Sequence, residues 1–353
     1  MARADSRILQ VGRAIPLMLA TLTPAWVAHA AASSSPLQDV LRPGGPQAQH
    51  VASLWNLMLA ICAAVFAAVM AALVVALIRR SPTRLDTPPD LSSLTVPEPG
   101  ARTSVVAAVG ASTALLLFLI VASVLTDRAL ANLSTKDALY LRVTANQWWW
   151  EVTYQGAPSE EFNTANEIHV PVGRPVVVTL AANDVIHSLW VPSLVGKKDL
   201  IPGRTTTLEF RADKPGVYRG QCAEFCGAEH AWMAFEVVAD TPDRFAAWAE
   251  HQRQPAADPT EPTLLKGQQL FVSTTCVMCH SVRGTTASAQ HGPDLTHLAS
   301  RRSIGAGTLP NSRDALKRWI RDPQKFKPGV NMPATNMSDG DLDALVAWLE
   351  TLS

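Results

Sequence analysis

Two uncharged apolar stretches, residues 53–78 and 103–126, constrain this chain more than any other feature. Each exceeds the roughly 20 residues that a helix needs to cross a bilayer core. A spanning segment has no water for its backbone groups, so the helix is the only form open to it. The first stretch ends at Arg79-Arg80 and the second at Asp127-Arg128. Between them lie Arg79, Arg80, Arg84 and Arg102, which the positive-inside rule places in the cytoplasm. Pro82, Pro88, Pro89, Pro97 and Pro99 make that loop irregular. Everything after Asp127 then belongs to the outer face. At the start, Arg3, Arg7 and Arg13 precede an apolar run, 14–27, and Ala28-His29-Ala30. This order reads as a secretory signal peptide, residues 1–30, cleaved after Ala30. Residues 31–127 read as a two-helix transmembrane hairpin in contact with membrane lipids.

At 353 residues the chain has room for two or three units. From about 139 to 239 short β-branched and aromatic runs alternate with Gly, Pro, Asn and Asp. Strands are expected at 139–145, 148–154, 175–182, 205–211, 216–221 and 232–239. They imply an antiparallel sandwich or barrel of roughly a hundred residues. Thr241-Pro242 opens a helix to about Gln254. Residues 128–254 thus form one external domain. Residues 255–262, rich in proline, read as a semi-rigid linker. A second external domain occupies 263–353, with a helix at 263–273 and a final amphipathic helix through Leu349, capped by Ser338-Asp339-Gly340-Asp341.

Of five cysteines, Cys62 lies in an apolar run and reads as a small buried hydrophobe. The others form two pairs, Cys222/Cys226 and Cys276/Cys279. In an exported chain such pairs read first as disulfides, so metal binding has to be argued from their neighbours. Residues 222–233 bring together Cys222, Cys226, His230 and Met233, with His187-Ser188-Leu189-Trp190 upstream. Thiolate, imidazole and thioether are a soft donor set suited to copper. A single blue-copper ion would need one cysteine. Two cysteines four apart could bridge two ions, each completed by one histidine and one weaker ligand. In the second domain, Cys276-Val277-Met278-Cys279-His280 is the C-x-x-C-H attachment signature of haem c. The axial ligands are expected to be His280 and, of the two methionines that follow, Met332 in Asn331-Met332-Pro333; Met337 packs near the last cap. His291 and His297 read as exposed loop histidines.

The C-x-E-x-C-G-x-x-H-x-x-M segment, the upstream His-Ser-Leu-Trp and the two-helix anchor resemble cytochrome c oxidase subunit II, here with a fused class I cytochrome c domain. The resemblance implies an all-β cupredoxin-like sandwich holding a dinuclear copper centre, followed by an all-α haem domain. By matching position it implies Cys222 and Cys226 as bridging ligands, His187, His230 and Met233 as terminal ligands, and Glu224 as a ligand through its carbonyl. The Glu224 side chain is similar to one that holds magnesium at the interface with subunit I. Trp148, in Asn146-Gln147-Trp148-Trp149-Trp150, is similar to the residue that accepts electrons from cytochrome c. Asp199 and Arg204 match a loop near the magnesium, and Pro293 matches the residue whose carbonyl orients the proximal imidazole. The family's glutamate at the start of the second membrane helix is missing; Glu98 is the nearest candidate for a proton pathway.

The implied function is the electron-input subunit of a terminal oxidase in a bacterial plasma membrane, with both cofactor domains on the periplasmic face. Electrons would pass from a cytochrome c or other donor through haem c and copper to subunit I, where oxygen is reduced and protons are translocated. Subunit III is a further implied partner, and nucleic acid is not. The electron-input subunit of a nitric oxide reductase, or a tethered copper-binding or electron-carrier protein acting alone, are the competing readings. Residues 127–261 carry 12 basic and 18 acidic side chains, and residues 262–353 carry ten and seven. Either the two domains attract one another through this asymmetry, or the charges only keep them soluble.

Overall fold

The computed structural model describes residues 38–79, 91 and 99–353. The expected signal peptide, Arg80, Arg84 and Glu98 lie outside the described residues.

Helices α1 (Pro46–Arg79) and α2 (Pro99–Leu130) lie against one another and leave nearly all their apolar side chains exposed. At 34 and 32 residues they overrun the uncharged stretches at both ends. Exposure on this scale suits a lipid surround, where there is no water to avoid. Cys62 is accordingly exposed on α1 rather than buried, because an apolar membrane helix faces lipid instead of a protein core. The N-terminal end of α1 is tied to the external domain. Gly44 N–H donates to Ser193 O at 2.7 Å, Asp213 N–H donates to Gly44 O at 2.7 Å, and Ala48 N–H donates to Leu194 O at 3.2 Å.

The external domain packs two five-stranded sheets face to face. One is built from β1 (Leu139–Asn146), β2 (Trp149–Tyr154), β3 (Phe162–Ala165), β5 (Val176–Ala182) and β8 (Thr206–Phe210), in the order β3-β2-β1-β5-β8. The other runs β4-β10-β9-β6-β7, from β4 (Glu167–Pro171), β10 (Ala234–Asp240), β9 (Gly216–Cys222), β6 (His187–Val191) and β7 (Val195–Leu200). Their inner faces enclose Leu141, Val143, Trp150, Val178, Leu180, Phe210 and Phe235. The sheets are mixed rather than antiparallel: β1 pairs with β5 and β4 with β10 in parallel. The chain crosses between sheets at Asn166 into β4, and after β4 it returns to lie beside β1 in the same direction. Asn166 takes the left-handed backbone (φ 62°), which asparagine tolerates. It is pinned there because its Oδ1 accepts from Trp150 N–H at 2.9 Å and its own N–H donates to Trp150 O at 3.0 Å.

Strand β6 breaks the alternation rule, since four of its five residues are buried. Strand β7 is an edge with exposed Lys197, Lys198 and Asp199, and edge lysines discourage pairing with another chain. The expected strand at 232–239 begins only at Ala234, after a 3-10 turn over His230–Trp232. Helix α3 (Pro242–Arg253) follows the sandwich.

In the C-terminal domain, α4 (Pro262–Ser273), α5 (Arg313–Arg321) and α6 (Asp339–Leu349) enclose Phe271, Leu316, Ile320, Leu345 and Trp348. Helices α4 and α6 cross closely because Gly267 has no side chain; a Cβ there would stand 2.7 Å from Trp348 Cβ and closer still to the Ala344 carbonyl. A two-strand hairpin, β11 (Ser303–Ile304) with β12 (Leu309–Pro310), projects from this domain.

Candidate functional site

The sheet register assembles a thiol–imidazole cluster. Strand β6 opens with His187, β9 ends at Cys222, and Leu189 of β6 faces Cys222 across the ladder. His187 shares a strand face with Leu189, two residues on. The loop after β9 is held by Ala223 N–H donating to Ser188 O at 2.9 Å. The 3-10 turn then returns His230 and Met233 to the same place. Cys222 Sγ and Cys226 Sγ stand 3.8 Å apart, far beyond the roughly 2.05 Å of a disulfide. His187 Nδ1 is 3.8 Å from Cys222 Sγ, and His230 Nδ1 is 3.6 Å from Cys226 Sγ. Met233 Sδ is 3.9 Å from Cys226 Sγ, and the Glu224 carbonyl oxygen is 3.2 Å from Cys222 Sγ. His187, both cysteines and Met233 are at most 2% exposed. Hydrogen bonding from Cys226 pulls the Cys222 thiol well below its ordinary range, and the same contact with burial pushes Cys226 up. Packing two thiols this closely holds one of them protonated unless cations neutralise the pair.

A surrounding shell orients these donors. Asp184 Oδ1 lies 2.9 Å from His187 Nε2 and so turns Nδ1 inward. No sequence pattern singled out Asp184; its three-residue spacing from His187 was the one available signal. Gln147 Nε2 and Trp148 Nε1 both donate to the Cys226 carbonyl, at 2.8 and 2.9 Å. Gly227, at φ 111°, lets the loop pass beneath the indole; a Cβ would sit 3.1 Å from Trp148 Cζ2. The side chains of Glu224, Asp199 and Arg204 are exposed, with Asp199 facing Ser188 across the β6–β7 ladder.

Cys276 and Cys279 lie on a turn closed by Cys279 and His280 N–H groups donating to the Cys276 carbonyl at 3.2 and 3.0 Å. His280 Nδ1 donates to Pro293 O at 2.8 Å, which leaves Nε2 facing away as the free coordinating atom. Gly292 makes room, since a Cβ there would stand 2.8 Å from His280 Cε1. Burial lowers the His280 pKa, favouring the neutral imidazole that a metal requires. Met332 and Met337 both pack partly buried against the domain core. His291 is exposed. His297 is not: it is 4% exposed, with Nδ1 2.7 Å from Ser353 O and Nε2 3.1 Å from Gln254 O. It ties Ser353 to the C-terminal end of α3, an arrangement that local sequence does not reveal.

The two external domains are joined by more than the linker. Ala256 N–H donates to Arg283 O at 2.9 Å, and the Arg283 guanidinium donates to the carbonyls of Gln252 and Arg253. Ala234 N–H, at the start of β10, donates to Ala306 O of the hairpin at 3.1 Å. Arg302 N–H and Nε reach Glu167 and Glu236 at 2.5 and 2.8 Å. These two carboxylates are cross-strand partners and both are buried. Burial and the Glu167 charge raise the Glu236 pKa, with Arg302 acting the other way. Trp148 is 8% exposed, with Gly329 packed over its indole.

A family model described as the periplasmic domain of cytochrome c oxidase subunit II matches residues 155–240, and a cytochrome c model matches residues 264–353. Cytochrome c oxidase subunit 2 of Alkalihalophilus pseudofirmus is 42% identical over 61% of this chain and 62% of its own. The Bacillus subtilis protein of that name is 31% identical over 67% of this chain and 71% of its own. The chain thus spans somewhat under two thirds of the first relative and somewhat over two thirds of the second. A solved structure, the periplasmic domain of subunit II of cytochrome oxidase from Bradyrhizobium japonicum, is 32% identical over 33% of this chain and 93% of its own, at a TM-score of 0.31. The chain belongs to the cytochrome c oxidase subunit 2 family and carries a cytochrome c domain at its C-terminal end.

Proposed function

We propose that this chain is the electron-input subunit of a terminal oxidase in the bacterial plasma membrane, working beside subunits I and III with both external domains on the periplasmic face. One observation supports it above the others: two thiols, two imidazole Nδ1 atoms, a thioether and a carbonyl converge in one largely buried cluster. The donor set would hold two copper ions through Cys222, Cys226, His187, His230, Met233 and the Glu224 carbonyl. The C-x-x-C-H turn would hold one haem c through Cys276 and Cys279, with His280 and Met332 as the side chains that would ligate its iron. When bound, these groups exchange single electrons without making or breaking substrate bonds.

The chain's own work is positioning. The β6–β9 ladder and Asp184 hold the imidazole of His187, Pro293 holds that of His280, and the closed sandwich keeps water from the thiols. A magnesium ion carried by the exposed Glu224 side chain at the face toward subunit I, with the exposed Asp199 and Arg204 as further residues of that face, belongs to the same reading. The test is metal and haem content of the full chain purified in detergent. About two coppers per haem are expected, with copper lost and haem kept in Cys222→Ser. Stoichiometric haem without tightly bound copper in the wild type would overturn it.

A further inference from the structure

Lys327 is 1% exposed, yet it belongs to neither the cluster nor the attachment turn. Its ammonium donates to Trp148 O at 2.7 Å, Trp232 O at 2.9 Å and Gly305 O at 3.2 Å. Three N–H donors thus meet three carbonyls, two from the sandwich and one from the hairpin of the C-terminal domain. A buried ammonium without such partners would be strongly destabilising, so this side chain has one well-matched seat. The seat is central. Trp148 donates to the Cys226 carbonyl, and Trp232 precedes Met233. Lys327 itself leads into Pro328-Gly329-Val330-Asn331-Met332, whose Gly329 covers Trp148 and whose Asn331 Nδ2 donates to Gln147 O at 3.4 Å. Burial lowers the Lys327 pKa to about 8, and the charge of Glu229, buried on the cluster loop, acts the other way.

We propose that Lys327 is a positioning residue: a buried bolt that registers the Met332 loop of the haem domain against Trp148 and so closes this face of the sandwich to outside donors. The inference rests on the copper and haem assignment above, through which the registered loop becomes the route between the two centres. It makes the domain pair a fixed junction, with electrons from an external donor arriving at the haem domain instead of at Trp148.

The test uses the assembled, membrane-bound protein. In the wild type, acetylation by an N-hydroxysuccinimide ester, followed by mass spectrometry, should modify exposed Lys325 and spare Lys327; equal labelling of the two overturns the proposal whatever any variant does. In Lys327→Met, the haem and copper absorption bands should persist while amide exchange at residues 147–149 rises at least tenfold. Flash-initiated haem-to-copper transfer should slow at least tenfold, and reduction of copper by a bulky soluble reductant should speed up. Lys325→Met should change none of these. Intact bands with unchanged exchange and transfer in Lys327→Met would sink the bolt. Missing copper bands in the wild type would instead sink the assignment on which it rests.

Discussion

Asp184 and His169 illustrate how single side chains act here through the groups they hold. Asp184 accepts from His187 Nε2 and fixes which nitrogen faces the thiols. Outer-shell partners of this kind typically carry about 10–100-fold in metal affinity. Asp184→Ala is therefore expected to weaken copper retention by about tenfold in a chelator competition, with the sandwich still folded. His169 is stacked on Trp248 at 4.1 Å and bonded to Asp240 at 3.0 Å, with Glu167 3.7 Å away. Burial opposes its charge, but the two carboxylates outweigh burial and its pKa is raised. A raised histidine pKa stabilises the fold fully below about pH 6.5, the unfolded value, and that stability is lost as pH rises through the folded value. The denaturation midpoint should fall over that window, and His169→Gln should flatten the dependence. The soft donors were legible as a motif because their residue types are rare together. Asp184 was not, since an aspartate three residues from a histidine is common and only the β6 turn brings it round.

Between elements, close approach and charge neutralisation decide the packing. Gly267→Ala places a methyl against the Ala344 carbonyl where α4 crosses α6. Overpacking of this kind costs about 1–3 kcal/mol, to be read as a lowered thermal midpoint of the C-terminal domain. Arg302→Met removes the guanidinium from buried Glu236 and keeps the backbone N–H that Glu167 accepts. Removing one partner of a fully buried pair costs about 3–5 kcal/mol, but Arg302 is 45% exposed, so about 1–2 kcal/mol is expected. Faster amide exchange in β10 and the hairpin should accompany it, and unchanged exchange would show that the arginine is only a surface contact. The membrane helices, α3, α4 and α6 were legible from apolar length, N1 proline and capping serine. Strands β4, β6 and β7 were not: β4 and β6 are buried on both faces and lack alternation, while β7 reads as a charged turn.

Across the whole molecule, the junction between the external domains is built from backbone carbonyls, the Arg302 pair and Lys327. The opposed net charges of the two domains predict attraction, and long-range attraction would be screened over roughly 10 Å at 0.1 M salt. Lys327, at the centre of the junction, is buried with its closest carbonyls at 2.7 and 2.9 Å, so salt should act weakly on the closed state. Haem-to-copper transfer measured by flash photolysis is expected to change less than about twofold between 0.05 and 0.5 M salt. A steep fall would mean instead that the domain leaves and returns by charge steering.

Residue type and spacing alone determined the two membrane helices, the soft donor set and the C-x-x-C-H turn. Each depends on chemistry that neighbours in sequence supply: uninterrupted apolarity, sulfur beside imidazole, two thiols followed at once by a histidine. Only the tertiary structure decided that β4 runs parallel to β10 and β5 to β1, that Asp184 and Pro293 aim the imidazoles, and that Trp148 lies beneath the Met332 loop. Those outcomes join residues up to 184 positions apart. They follow from sheet crossing and from satisfying buried polar groups, which no local pattern encodes.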